Sequence, residues 1–125
     1  MEQDNKKILV VDDTELNREL LCRRLLRRGY HVEEGVGGQD ALSKTSSHDY
    51  DLILLDIMMP DLDGISVLKQ LRQDTKHVDL PVIMISARAE KELIDKAMEA
   101  GANDYITKPI QFNDALEKIE QAIRN

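Results

Sequence analysis

Hydrophobic residues fall along this chain in two alternating patterns: short solid runs, and longer stretches where apolar residues recur at three- and four-residue steps. Ile8-Leu9-Val10-Val11 is a solid run that stops at Asp12-Asp13, which predicts a buried strand. Residues 14–28 carry Leu16, Leu20, Leu21, Leu25 and Leu26 among charged residues and stop before Gly29, which predicts a helix. The alternation continues with a strand over 30–36, a short helix from Gln39 to about Ser46, and a strand over 51–56 made almost wholly of Leu and Ile. A turn, Pro60-Asp61-Leu62-Asp63-Gly64, leads into a helix through Leu68 and Leu71. Pro81 then opens a strand over 82–85 that ends at Ser86. A helix over 90–100 closes on Gly101, residues 104–107 form a brief strand, and Phe112, Leu116, Ile119 and Ile123 mark a last helix. A polar leader, residues 1–5, precedes these five strand–helix units.

Strict alternation, with strands apolar on both faces, predicts an α/β fold: a doubly wound parallel sheet with helices on both sides, each crossover right-handed. Apart from the pair Gly37-Gly38, Gly and Pro sit singly and no stretch is low-complexity, so the expectation is one domain over 1–125 with its core at about 7–124 and no linker. On that reading the chain ends where its fifth helix ends and carries no output module.

The polar residues that interrupt the pattern share one location. Asp12 and Asp13 end the first strand, Asp56 the third and Ser86 the fourth, while Lys108 follows the fifth. All lie at strand carboxyl ends, which in an open parallel sheet face the rim where ligands bind. Three carboxylates brought together there need a compensating cation. Oxygen donors without His or Cys favour magnesium, which keeps waters that a phosphate can replace. Lys108 adds an ammonium and Ser86 a hydroxyl, so the set suits phosphoryl transfer with Asp56 as nucleophile. Taken singly, Asp12-Asp13 and Ser86 also read as helix caps, Asp56 as a turn cap, Lys108 as a surface lysine and Tyr105 as half-buried packing.

Charge narrows the partners. Seventeen Lys and Arg against 24 Asp and Glu leave a net charge of -7, which repels nucleic acid and anionic lipid. The basic run Arg23-Arg24 and Arg27-Arg28 reads as a solvated face, and His31, His48 and His77 lack ligand spacing. Cys22 is the one cysteine and fits the helix pattern as a buried small residue. No signal peptide is evident, and no apolar stretch approaches the roughly 20 residues that cross a bilayer, so the expected compartment is the cytoplasm.

Five motifs in order carry a resemblance to the receiver domain of two-component response regulators, from Lys7 to about Arg124. They are Leu9-Val10-Val11-Asp12-Asp13, the run from Asp51 through Asp56 to Pro60, Asp63-Gly64, Ile85-Ser86-Ala87, and the run from Gly101 through Tyr105 to Lys108-Pro109. The resemblance implies a flavodoxin-like sheet of order 2-1-3-4-5. It implies that Asp56 takes a phosphoryl group from a sensor histidine kinase or a histidine phosphotransfer protein, and that the chain is a signalling phosphoacceptor rather than an enzyme. Mg2+ would be held by Asp13, Asp56 and the backbone carbonyl of Met58, with Asp12 acting mainly through water. Ser86, the backbone amide of Ala87 and Lys108 would contact the phosphate. Ser86 moving inward and Tyr105 turning in behind it would reshape the surface of the fourth helix, fifth strand and fifth helix, which also permits a homodimer. Lys108-Pro109 would be cis, and Met58 and Arg88 would tune dephosphorylation. The competing readings are a phosphate-independent adaptor or dimerisation module on the same fold, and an aspartate-based phosphatase. The phosphatase usually has a second carboxylate two residues after its nucleophile, where this chain has Met58.

Overall fold

The computed structural model describes residues 6–124; the leader 1–5 lies outside them. Along each strand, neighbouring side chains face opposite sides of the sheet, so a strand covered on both faces must be apolar at every position. The strands are β1 (Lys7–Val11), β2 (His31–Gly35), β3 (Leu52–Asp56), β4 (Val82–Ser86) and β5 (Asp104–Thr107). The helices between and after them are α1 (Glu15–Arg27), α2 (Gly38–Ser47), α3 (Gly64–Gln73), α4 (Lys91–Glu99) and α5 (Phe112–Arg124). All strand pairs are parallel and the order is β2-β1-β3-β4-β5, as expected, with the reversal between β1 and β3.

Two cores result, one per face. Leu9, Val11, Ile53, Leu55, Val82 and Met84 pack beneath α2, α3 and α4 through Ala41, Val67, Leu68, Leu71 and Ala97. Their strand neighbours Ile8, Val10, Leu52, Leu54, Ile83 and Ile85 pack beneath α1 and α5 through Leu21, Cys22, Leu25, Leu116 and Ile119. The exception is β2, an edge strand, where Glu33 and Glu34 replace apolar residues. Charge on an edge discourages pairing with other chains, and Glu33 is held by Lys7 (2.6 Å) and by the Tyr50 hydroxyl (2.7 Å).

The first helix corrects the apolar stripe read from the sequence. Leu21, Cys22 and Leu25 are buried, but Leu16, Leu20 and Leu26 are 63%, 48% and 56% exposed. The stripe is narrower because Arg18, in phase with Leu21, Cys22 and Leu25, occupies its amino-terminal end and is buried.

Helix ends follow local chemistry. Gly29 and Gly101 adopt positive φ (94° and 109°) just beyond α1 and α4, a conformation open to glycine. Asp63 caps α3 by accepting from the Ser66 amide (2.9 Å). The α2 helix has no cap of its own. Its Gly38 and Gln39 amides donate instead to the Asp61 carboxylate (3.1 and 3.0 Å) from the loop between β3 and α3. Those bonds hold Asp61 below the usual carboxylate range.

At the opposite rim Arg72 donates to the carbonyls of His77, Leu80 and Gly101, tying α3 to the turns before β4 and β5. His77 is buried between the Thr45 carbonyl and the Asp74 carboxylate, so its place is architectural. Neighbouring leucines in α1 test the helix register. Leu25→Ala removes a fully buried side chain and is expected to cost about 3 kcal/mol, whereas Leu26→Ala is expected to cost less than about 0.5 kcal/mol, both by urea unfolding.

Candidate functional site

Sheet register assembles the polar rim. Val11 pairs with Leu55, Asp56 with Ile85, and Ser86 with Thr107. Asp12, Asp56, Ser86 and Lys108 therefore follow one line across the strand ends. Lys108 closes that line, its Nζ lying 3.2 Å from Asp12 Oδ2 and 3.1 Å from Asp56 Oδ2. The other oxygens are taken by backbone: Asp12 Oδ1 accepts from the Thr14 amide (2.8 Å) and Asp56 Oδ1 from the Met58 amide (3.2 Å). Asp12 and Asp56 are buried, while Asp13 is open to solvent.

Burial is the main influence on Asp56 and raises its pKa; the Lys108 hydrogen bond and charge pull it back, and the Asp12 charge adds to the rise. Burial lowers Lys108, but Asp56 and Asp12 together outweigh it, so the lysine stays charged well beyond neutral pH. Carboxylate oxygens of Asp12, Asp13 and Asp56 lie within 4.8 Å of one another. An all-oxygen donor set, two members buried and one facing water, fits a hard divalent cation such as Mg2+.

The remaining predicted residues gather around the loop after β4. Ser86 is fully buried and its Oγ accepts from the Arg88 amide (3.1 Å). Ala87 stands exposed between them, and the Lys108 amide donates to the Ser86 carbonyl (2.8 Å). Tyr105 is already turned inward, buried, with its hydroxyl donating to the Arg88 carbonyl (2.8 Å). Ser86 and Tyr105 thus hold the Arg88 residue from its two ends. The peptide between Lys108 and Pro109 is cis. Met58 is largely exposed beside Asp56.

The geometry has relatives. A family model described as the response regulator receiver domain matches residues 8–120. The chain belongs to that family. This receiver is 43% identical over 122 residues to the alkaline phosphatase synthesis transcriptional regulatory protein PhoP of Bacillus subtilis, covering 96% of this chain and 49% of the relative. It is 40% identical to the transcriptional regulatory protein ResD of the same organism, over 99% of this chain and 51% of that one. The receiver therefore spans about half the length of these relatives. Among solved structures it resembles the Francisella response regulator 1452 receiver domain, with 32% identity and a TM-score of 0.89 over 96% of this chain and 98% of that one. It also resembles the response regulator TrrA of Thermotoga maritima in complex with Mg(2+)-BeF, with 36% identity and a TM-score of 0.84 over 94% and 98% of the two chains. The fold is the flavodoxin-like one expected from the motifs.

Arg18 of this receiver escaped the sequence reading, and Gly64, read there as a turn and motif residue, has a closer role than that reading gave it. Gly64 opens α3 directly against the end of β3: its amide donates to the Ile57 carbonyl (2.8 Å), and a Cβ there would collide with the Asp56 carbonyl. Arg18 reaches the backbone of the acidic pair from α1, and its phase with Leu21, Cys22 and Leu25 was the signal that it is buried. Cys22 offers no competing nucleophile, because burial, helped by the Glu34 charge, pushes its thiol up to about 12.

Lys108→Ala leaves two buried carboxylates facing each other, and is expected to lower stability by about 3 kcal/mol in metal-free urea unfolding, with added Mg2+ restoring part of the loss. Gly64→Ala forces β3 or α3 to shift, at an expected cost of about 2 kcal/mol by the same measurement.

Proposed function

We propose that Asp56 is the phosphoacceptor of this receiver and that its donor is a phosphohistidine on a sensor histidine kinase or a histidine phosphotransfer protein. The observation that carries this reading is the Lys108 ammonium shared between Asp12 and Asp56 beside the open Asp13. An Asp56 carboxylate oxygen attacks phosphorus; the P–O bond forms as the P–N bond to imidazole breaks, and the electron pair leaves with the imidazole nitrogen. Asp12, Asp13 and Asp56 would hold Mg2+, with the Met58 carbonyl as a further oxygen, and the ion would supply charge neutralisation to the transferring group. This chain supplies the rest. Lys108 neutralises phosphoryl oxygens from the β5 side, and the Ser86 hydroxyl, fully buried beside the site, has its proton free to donate while its lone pair keeps the Arg88 amide. The Ala87 amide is the remaining donor in this assignment.

The output follows from the same loop. A phosphoryl group drawing on Ser86 strains or tightens the Arg88 residue, which Tyr105 also grips, and so biases the surface of α4, β5 and α5 between two arrangements. That surface carries the Lys118–Asp104 ion pair and exposed Met98, and is the proposed contact with an output target or a second copy. Met58 and Arg88 flank the acceptor and are the proposed determinants of phosphoryl lifetime. The chain acts as a signalling acceptor with no external substrate to turn over. No described helix is long and apolar enough to cross a membrane, and the proposed compartment is the cytoplasm.

The test is direct phosphorylation. With acetyl phosphate and Mg2+, intact-mass measurement is expected to show a gain of one phosphoryl group that is absent in Asp56→Asn and suppressed by chelating the metal. An unmodified wild-type mass under these conditions refutes the assignment.

A further inference from the structure

The acidic pair is held from beneath by a residue that touches neither the metal ligands' carboxylates nor any reacting atom. Arg18 is 8% exposed, at the amino-terminal end of the buried stripe of α1. Its NH1 donates to the carbonyl of Asp12 (2.7 Å), and its Nε donates to Glu34 Oε1 (2.8 Å) on β2. The carbonyl of Asp12 belongs to the peptide plane that joins Asp12 to Asp13. The other backbone bond of Asp12 runs from its amide to the carbonyl of Gly35 (3.2 Å), the residue after Glu34. The end of β2 therefore grips the acidic pair twice, once through backbone and once through the arginine fork. Fixing that peptide plane fixes the direction in which two successive carboxylates leave the chain.

We propose that Arg18 is a positioning residue for the divalent cation site, with Glu34 as its anchor, acting through the Asp12–Asp13 peptide. The proposal rests on the assignment of Asp12 and Asp13 as metal ligands. Two influences of Arg18 have opposite sign and can be told apart. As a buried cation near three carboxylates it repels Mg2+, so removing it would tighten binding. As a clamp it preorganises the ligands, so removing it would weaken binding, and outer residues that orient metal ligands typically contribute about tenfold or more to affinity. A guanidinium can bond a carbonyl and a carboxylate at once through separate N–H groups; an ammonium on a shorter, flexible stem does so poorly.

The experiment is a calorimetric Mg2+ titration of the unphosphorylated domain, with circular dichroism confirming the fold of each variant. Arg18→Met, which keeps the buried stem, is expected to weaken Mg2+ binding about tenfold. Arg18→Lys, which keeps the charge and loses the fork, is expected to weaken it by about threefold, and Glu34→Gln by about twofold. With acetyl phosphate, the Mg2+ concentration needed for half-maximal rate is expected to rise in parallel, while the rate at saturating Mg2+ stays near that of wild type. Unchanged or tighter Mg2+ binding in folded Arg18→Met overturns the proposal, the first outcome leaving Arg18 a purely structural role and the second a purely electrostatic one. Should Arg18→Met fail to fold, Arg18→Lys decides by the same criterion. A wild-type domain that binds no Mg2+ refutes the metal assignment itself, and that result is read from the wild-type titration alone.

Discussion

Like charges held close together set the terms for the whole carboxyl rim of the sheet. Asp12 and Asp56 are buried with their oxygens within 4.8 Å of each other and of Asp13, an arrangement that costs free energy through both desolvation and repulsion. The fold offsets that cost with donors on rigid supports. Lys108 is presented by the loop after β5, the Thr14 and Met58 amides by the turns after β1 and β3, and no buried side-chain nitrogen or oxygen among the described residues is left without a partner. The offset is incomplete, since three carboxylates face one ammonium. An acidic site kept short of neutrality has standing affinity for further positive charge.

The path from this site to the surface is short. Ser86 and Lys108 are joined by a backbone hydrogen bond, and the Arg88 residue is bonded at its amide by Ser86 and at its carbonyl by Tyr105. Each bond lies in or beside a buried group, where alternatives are few and discrete, so a change at Ser86 has few ways to be absorbed locally. The opposite rim is built for the reverse purpose. There Arg72 and His77 fasten turns to helices.

The strands and the rim were legible in the sequence because each apolar run stops on a polar residue: Val11 before Asp12, Leu55 before Asp56, Ile85 before Ser86. The order 2-1-3-4-5, which the resemblance implied, then made those residues neighbours. The face of α1 was harder. Five leucines compete for one stripe there, and the residue that takes the fourth buried position beside Leu21, Cys22 and Leu25 is an arginine. Its phase marks the position as buried, but the acceptors that let an arginine occupy it, at Asp12 and Glu34, lie 6 and 16 positions away, which periodicity does not register. His77, read as lacking ligand spacing, holds no ligand position, and its structural place was invisible for the same reason, since its carbonyl partner lies 32 positions back, at Thr45. Local pattern reveals what a residue avoids; long-range partners reveal what it tolerates.

The missing local cap of α2 bears on how the molecule comes together. The first amides of a helix have no partner within it, and two of those of α2 are met by Asp61, 22 and 23 positions downstream of the amides it serves. Its amino end is thus completed only after the chain has crossed the sheet along β3 and begun the following loop. The loop after Asp56 and the start of α2 are therefore coupled, and when either loosens the other loses its partner.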